Sequence, residues 1–168
     1  MTPLVSIIMG STSDLPVMEK AARQLDELAI PFEILALSAH RTPDEVAEFA
    51  RGAEERGVRV IIAGAGMAAH LCGVIASMTP LPVIGVPIKA TLDGMDALLA
   101  IVQMPPGIPV ATVGINGAQN AALLAAQMLS LGDADLMKRL KAFKDGLKEK
   151  VVRANADLKE VKYNFKTN

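Results

Sequence analysis

The sequence predicts an α/β protein built as a three-layer, doubly wound parallel sheet with a C-terminal helical extension. Two observations lead there. Five short runs, residues 4–10, 31–38, 58–66, 81–87 and 108–115, are almost continuously apolar and rich in Val and Ile, as strands covered on both faces are. Between them lie segments of helical period, 15–30, 42–57, 67–78 and 92–104, each long enough to cross back over a sheet. With 168 residues, 51% of them hydrophobic, the chain can bury one full core, so residues 1–168 are expected to form a single domain.

In such sheets ligands bind beyond the carboxyl ends of the strands, so each strand end is read for chemistry in turn. The first continues as "MGSTSDLP", with Gly10, Ser11, Ser13 and Asp14 ahead of Pro16 at a helix start. Small residues there let amides and hydroxyls approach an anion at the helix amino end. A capped tight turn explains the same residues.

The second strand runs into "SAHRTPDE". Thr42, Pro43 and Glu45 have the spacing of a capping box with proline at the first helical position. Ser38, Ala39, His40 and Arg41 fall outside that explanation. A histidine at a strand end can take or give a proton near neutrality, and an arginine carries a fixed charge suited to phosphate. His40 could equally fill a strand-to-helix turn.

The third strand ends in "AGAGMAAHLCG". Gly64, Gly66 and Ala69 match the G-x-G-x-x-A of a dinucleotide fingerprint, but that fingerprint follows the first strand of its unit and needs an acid ending the next. Here the next strand, "PVIGVPIK", ends in lysine. The glycines are therefore read as points of close approach by a ligand or neighbouring backbone. His70 is expected on the first turn of the following helix, as a candidate site residue or a satisfied buried histidine.

After the fifth strand, residues 116–131 form a helix whose stretch "NAALLAAQMLSL" is apolar around nearly its whole circumference. One sheet face cannot cover such a helix, which is then either a core helix or part of a homo-oligomeric interface. Residues 133–163 read as a charged helical segment with a loose stripe of Leu, Phe and Val, expected to pack on the surface or across subunits.

Composition narrows the function. Seventeen basic and 18 acidic residues leave a net charge of −1, without a global pull toward nucleic acid or anionic membrane. A single cysteine, Cys72, forms no internal disulfide, and the N-terminus lacks the pattern of a signal peptide, so a cytoplasmic protein is expected. The longest apolar stretch is broken by glycines, prolines and a histidine, short of a bilayer span. His40, His70 and Cys72 have no zinc spacing, so no metal is expected. Ser13, Asp14 and His40 lack the G-x-S-x-G elbow of a hydrolase. A phospho-receiver would need an aspartate ending the third strand, and a flavin module an aromatic ring at a strand-end loop.

Together, "MGSTSD", "SAHRTP" and "AGMAAHLCG" at three successive strand ends resemble the bacterial-type (class I) 5-(carboxyamino)imidazole ribonucleotide mutase family of purine biosynthesis. The likeness continues through "PVIGVP", "IVQMPPGIPVAT" and "NAALLAAQML", to about Leu131. It implies a flavodoxin-like fold, a ribonucleotide substrate, no cofactor, and a homo-octamer with active sites at subunit interfaces. Carried over by position, Gly10, Ser11 and Asp14 contact the ribonucleotide, with Asp14 at the ribose hydroxyls. Ser13, Ser38 and Arg41 lie on the phosphate side, Ala39 is a further substrate-binding position, and His40 is the general acid/base. Ala65, Gly66, Met67 and Ala68 form the loop over the imidazole and carboxylate, with His70 and Leu71 at its far end. Cys72 departs from a proline common in the family, and Met67 from a frequent glycine. The alternatives are direct carboxylation of aminoimidazole ribonucleotide by carbon dioxide, and a non-enzymatic nucleotide-binding module.

Overall fold

The computed structural model describes residues Thr2–Asn168. Its elements alternate as β1 (Val5–Met9), α1 (Leu15–Glu27), β2 (Phe32–Ala36), α2 (Pro43–Gly52), β3 (Val60–Gly66), α3 (Leu71–Ala76), β4 (Val83–Ile88), α4 (Met95–Val102), β5 (Ala111–Thr112), α5 (Ala118–Ser130) and α6 (Ala134–Glu160). All neighbouring strands pair in parallel, in the order β2-β1-β3-β4-β5. This flavodoxin-like order reverses its direction of growth between β1 and β3, which leaves a crevice at the carboxyl ends of those strands.

Strand alternation divides the core between the two faces of the sheet. Val5, Ile7, Ile62 and Ile84 pack with Met18, Leu25 and the alanines of α5. Ile8, Ile61 and Ala63 face the other way, toward Val46, Phe49, Ile75 and Ile101 of α2, α3 and α4. Burial of each large side chain contributes about 1.5–3 kcal/mol. Gly64 brings α1 close to β3: a Cβ there would stand 2.4 Å from Met18 Sδ.

At the β2 edge a polar clamp joins strand to helix layer. The buried Ser6 hydroxyl donates to Glu33 Oε1 at 2.7 Å. Arg56 donates to both Glu33 oxygens at 2.8 and 3.0 Å, and its guanidinium carbon stands 5.3 Å from the Phe49 ring centroid.

Several boundaries differ from expectation. The fifth strand pairs only through Ala111 and Thr112, because it lies at the sheet edge and Pro109 has no N–H for a ladder. The third helix begins at Leu71 rather than Met67, since Met67 is left-handed with φ of 55°. The fourth begins with a short 3-10 turn at Leu92–Gly94, in which Leu92, Asp93 and Gly94 all have positive φ, before α4 starts at Met95.

The apolar circumference of α5 is partly accounted for within one chain. Ala118, Ala121, Ala122, Ala125 and Ala126 are buried toward α1 and the sheet, and α6 packs on α5 with Leu136 and Leu140 buried. The 27-residue α6 is capped by Asp133, whose carboxylate accepts from the amides of Asp135 and Leu136. Among the described residues, no helix is long and apolar enough to cross a membrane.

Candidate active site

Three loops rise at the topological switch point. In the first, Ser11 Oγ accepts from the Ser13 amide at 3.3 Å and so caps the 3-10 turn Thr12–Asp14. Asp14 occupies the cap position of α1 but makes no side-chain capping bond. Burial raises its carboxyl above the ordinary range, opposed by the nearby Arg41 charge and a backbone hydrogen bond from Ser11. A carboxylate kept off its own helix end and partly desolvated is available to hydroxyl donors from a ligand.

The second loop carries His40 on a turn closed by the Thr42 amide, which donates to the Ser38 carbonyl at 2.9 Å. The predicted capping box does not form. Thr42 is the cap residue of α2 and Pro43 its first residue, but Thr42 makes no side-chain cap bond. Its hydroxyl instead turns back, accepting from the Ser38 amide at 2.9 Å and donating to the Ser38 carbonyl at 3.2 Å. The threonine is used to hold the His40 turn. Arg41 ties this loop to the first: Nη2 donates to the Gly10 carbonyl at 2.6 Å, while Nε donates to Ser38 Oγ at 3.3 Å.

The third loop, Met67 to His70, is tight, with amide bonds from Ala69 to the Met67 carbonyl and from His70 to the Ala68 carbonyl at 2.9 and 2.8 Å. Met67 adopts φ of 55° with 58% of its surface exposed, at a cost of roughly 1–2 kcal/mol relative to glycine. His70 is the cap residue of α3 rather than a member of its first turn. Its Nδ1 lies 2.9 Å from Nε2 of His40, with the ring planes at 86°.

These loops enclose a pocket of about 500 Å³, within the range of small-molecule sites. It is lined by Gly10, Ser11, Ser13 and Asp14, by Ser38, Ala39, His40 and Arg41, and by Ala65, Gly66, Met67, Ala68 and Leu71. The strand ends alone single out Gly10, Ser11, Ser13, Asp14, Ser38, His40, Arg41 and Gly66, while Ala39, Ala65, Met67, Ala68 and Leu71 are expected from the family resemblance. His70 is not among the lining residues, and it is exposed to solvent rather than a buried histidine. Ala90, which follows β4, lines the pocket and was missed. The strand-end rule applied to a fourth loop would have found it.

Cys72 is fully buried, and its thiol donates to the Ala63 carbonyl at 3.2 Å. Burial pushes its pKa up to about 12, so it stays a thiol that packs beneath the third loop. Among the described residues, no three His, Cys, Asp or Glu side chains come together as metal ligands.

The family described as AIR carboxylase matches residues 4–150. The N5-carboxyaminoimidazole ribonucleotide mutase of Pyrococcus abyssi is 59% identical over 147 residues, covering 87% of this chain and 84% of that protein. Its counterpart in Pyrococcus horikoshii is 58% identical over 160 residues, covering 95% of this chain and 90% of that one. Among solved structures, Treponema denticola PurE superposes with a TM-score of 0.85 at 31% identity, over 94% of this chain and 99% of that one.

Proposed function

The chain belongs to the AIR carboxylase family, and from that membership we propose how its pocket works. The protein is an isomerase of purine biosynthesis, an N5-carboxyaminoimidazole ribonucleotide mutase. It moves a carboxylate from the exocyclic nitrogen of the aminoimidazole to ring carbon four of the same molecule. The observation that carries the assignment of roles is the meeting of three strand-end loops in one pocket with His40 on its wall.

Arg41, Ser13 and Ser38 hold the phosphate, and Ser11 and Asp14 the ribose, against the backbone of Gly10 and Ala39. Binding energy from this end positions the reacting atoms at the other. There, Ala65, Gly66, Met67 and Ala68 surround the imidazole and carboxylate, with His70 and Leu71 at the loop's far end. His40 as imidazolium protonates the exocyclic nitrogen as its bond to the carboxylate carbon breaks, releasing carbon dioxide. Ring carbon four attacks that carbon dioxide, and neutral His40 then takes the proton from the same carbon. The proton count on the enzyme is unchanged at the end of the cycle. The uncharged side chains beside the carboxylate offer water no hydrogen-bonding partner while carbon dioxide is free.

The reading extends to a homo-octamer with active sites at subunit interfaces. Support comes from Leu92, Met95, Leu99 and Val102, large apolar residues exposed on the segment that follows the pocket's Ala90. The same reading has the enzyme acting in the cytoplasm on a phosphorylated, membrane-impermeant substrate.

The test offers the wild-type protein either the carboxyamino ribonucleotide or aminoimidazole ribonucleotide with bicarbonate, without ATP. Rapid conversion of the first alone is expected. Efficient use of the second would reassign the reaction to direct carboxylation. His40→Asn should lower kcat by about 10³-fold while leaving ribonucleotide binding within a few-fold, and near-normal turnover in that variant would remove His40 from the mechanism.

A further inference from the structure

We propose that His70 is a positioning residue, holding His40 in the single tautomer with which it can serve as both acid and base. The inference rests on the acid/base role proposed for His40 and begins with the contact between the two rings. Nε2 of His40 and Nδ1 of His70 are 2.9 Å apart, so one carries a proton and the other accepts it. Perpendicular ring planes, at 86° with centroids 5.0 Å apart, exclude stacking and suit an edge-on hydrogen bond. Among the described residues, Nδ1 of His40 and Nε2 of His70 have no other hydrogen-bond partner.

The direction of the bond follows from the work His40 has to do. If His70 Nδ1 were the donor, neutral His40 would carry its proton on Nδ1 and spend its lone pair on His70. It could then accept a proton from the substrate only after breaking the bond between the rings. With His40 Nε2–H donating, the lone pair of neutral His40 is on Nδ1, the nitrogen without a protein partner. Once protonated, His40 has both N–H groups and still donates from Nε2 to the same acceptor. One geometry therefore serves the imidazolium that protonates nitrogen and the imidazole that deprotonates carbon, without a ring flip between steps. A neutral acceptor at Nε2 also stabilises the imidazolium as it forms.

The backbone favours this role. The His40 turn is fixed by Thr42 and Arg41 through Ser38, and His70 is fixed by the tight loop preceding α3. Both rings thus stand on braced segments from different strand ends, which is what placing a tautomer requires.

Because the chain contains only two histidines, nitrogen NMR of histidine-labelled protein resolves the pair, with assignment by single substitution. In wild-type protein at mildly alkaline pH, neutral His40 is expected as the Nε2–H tautomer, and in His70→Leu as an exchanging mixture. Averaged tautomers in the wild type, or an unchanged tautomer in His70→Leu, would overturn the proposal. In turnover, His70→Leu should lower kcat by about 10²-fold with KM within twofold. His70→Asn, whose amide oxygen stands close to the position of Nδ1, should recover at least tenfold of that loss. Equal losses in the two variants, or a loss confined to KM, would reduce His70 to a structural or binding residue. Failure of the wild type to turn over either ribonucleotide would sink the mutase reading instead, while the NMR result would still judge the histidine pair.

Discussion

Asp14 illustrates how a single side chain can be placed against its own stability. It stands at a helix cap position without capping, and burial raises its carboxyl pKa despite the nearby Arg41. An acid whose pKa is higher folded than unfolded binds its proton more tightly in the folded state. The resulting penalty is present at neutral pH, shrinks as pH falls through the folded value, and is gone below the unfolded value of 3.8. Asp14→Asn should therefore unfold at the same or a slightly higher denaturant concentration than wild type at pH 7, and the difference should close near pH 3.5. Ribonucleotide affinity, measured by calorimetry, should fall about tenfold or more if Asp14 takes the proposed role of charged acceptor for the ribose hydroxyls. A variant clearly less stable at pH 7 would mean that Asp14 is a structural cap after all. Cys72 shows the reverse placement: near the start of α3 it is buried and donates to the Ala63 carbonyl, so it is part of the packing.

At the scale of elements, the Ser6–Glu33–Arg56 clamp makes a comparable prediction with the opposite sign. Hydrogen bonds from Arg56 hold the Glu33 carboxyl below its ordinary range, against a smaller opposing effect of burial. Stability from this pair is complete above the unfolded value of 4.5 and is lost as pH falls through the lower folded value. Glu33→Gln should cost about 1 kcal/mol at pH 7, toward the low end for a charged pair because Arg56 is largely in solvent. That cost should disappear in urea titrations near pH 3; a cost independent of pH would assign it to packing. The elements themselves were legible to different degrees. β1, β3 and β4 could be read because continuous Val and Ile runs have few other stable placements than the middle of a parallel sheet. β5 shrank because its run contains Pro109, and the apolar pattern does not register a missing donor. The start of α3 moved because Met67 is left-handed, a conformation that nothing in a methionine announces. The place of the pocket was legible because strand-end loops converge in this topology whatever their sequence, whereas Ala65, Met67, Ala68 and Leu71 were reached only through the family resemblance. The job of Thr42 was not, since the same hydroxyl can cap a helix or brace the preceding turn, and only the fold decides.

The whole molecule leaves one long feature half used. Along α6, Leu136, Leu140, Phe143, Leu147, Val151 and Leu158 follow one another at helical spacing on a single stripe. Its first part is buried against α5 at Leu136 and Leu140, while Val151 is 63% and Leu158 57% exposed. A stripe that packs at one end and continues uncovered over the last turns of a helix about 40 Å long leaves apolar surface that the proposed octamer would set against a second copy. The two states can be separated because they assign opposite costs to the same substitutions. In an isolated chain, Val151→Glu with Leu158→Glu changes two exposed positions, and should stay within roughly 0.5 kcal/mol of wild type per site. If the stripe lies between subunits, the same pair buries two unpaired carboxylates at every copy of the interface. We expect wild-type protein to sediment as eight copies of the 17.7 kDa chain, and the double variant to fall to smaller species with the helical signal of each chain retained. Turnover should fall with the assembly, because the octamer reading puts the pocket at the interface. If the variant keeps the wild-type mass and melting temperature, α6 is a solvated arm; if the wild type itself sediments as a single chain, the octamer is ruled out and the pocket must work within one subunit.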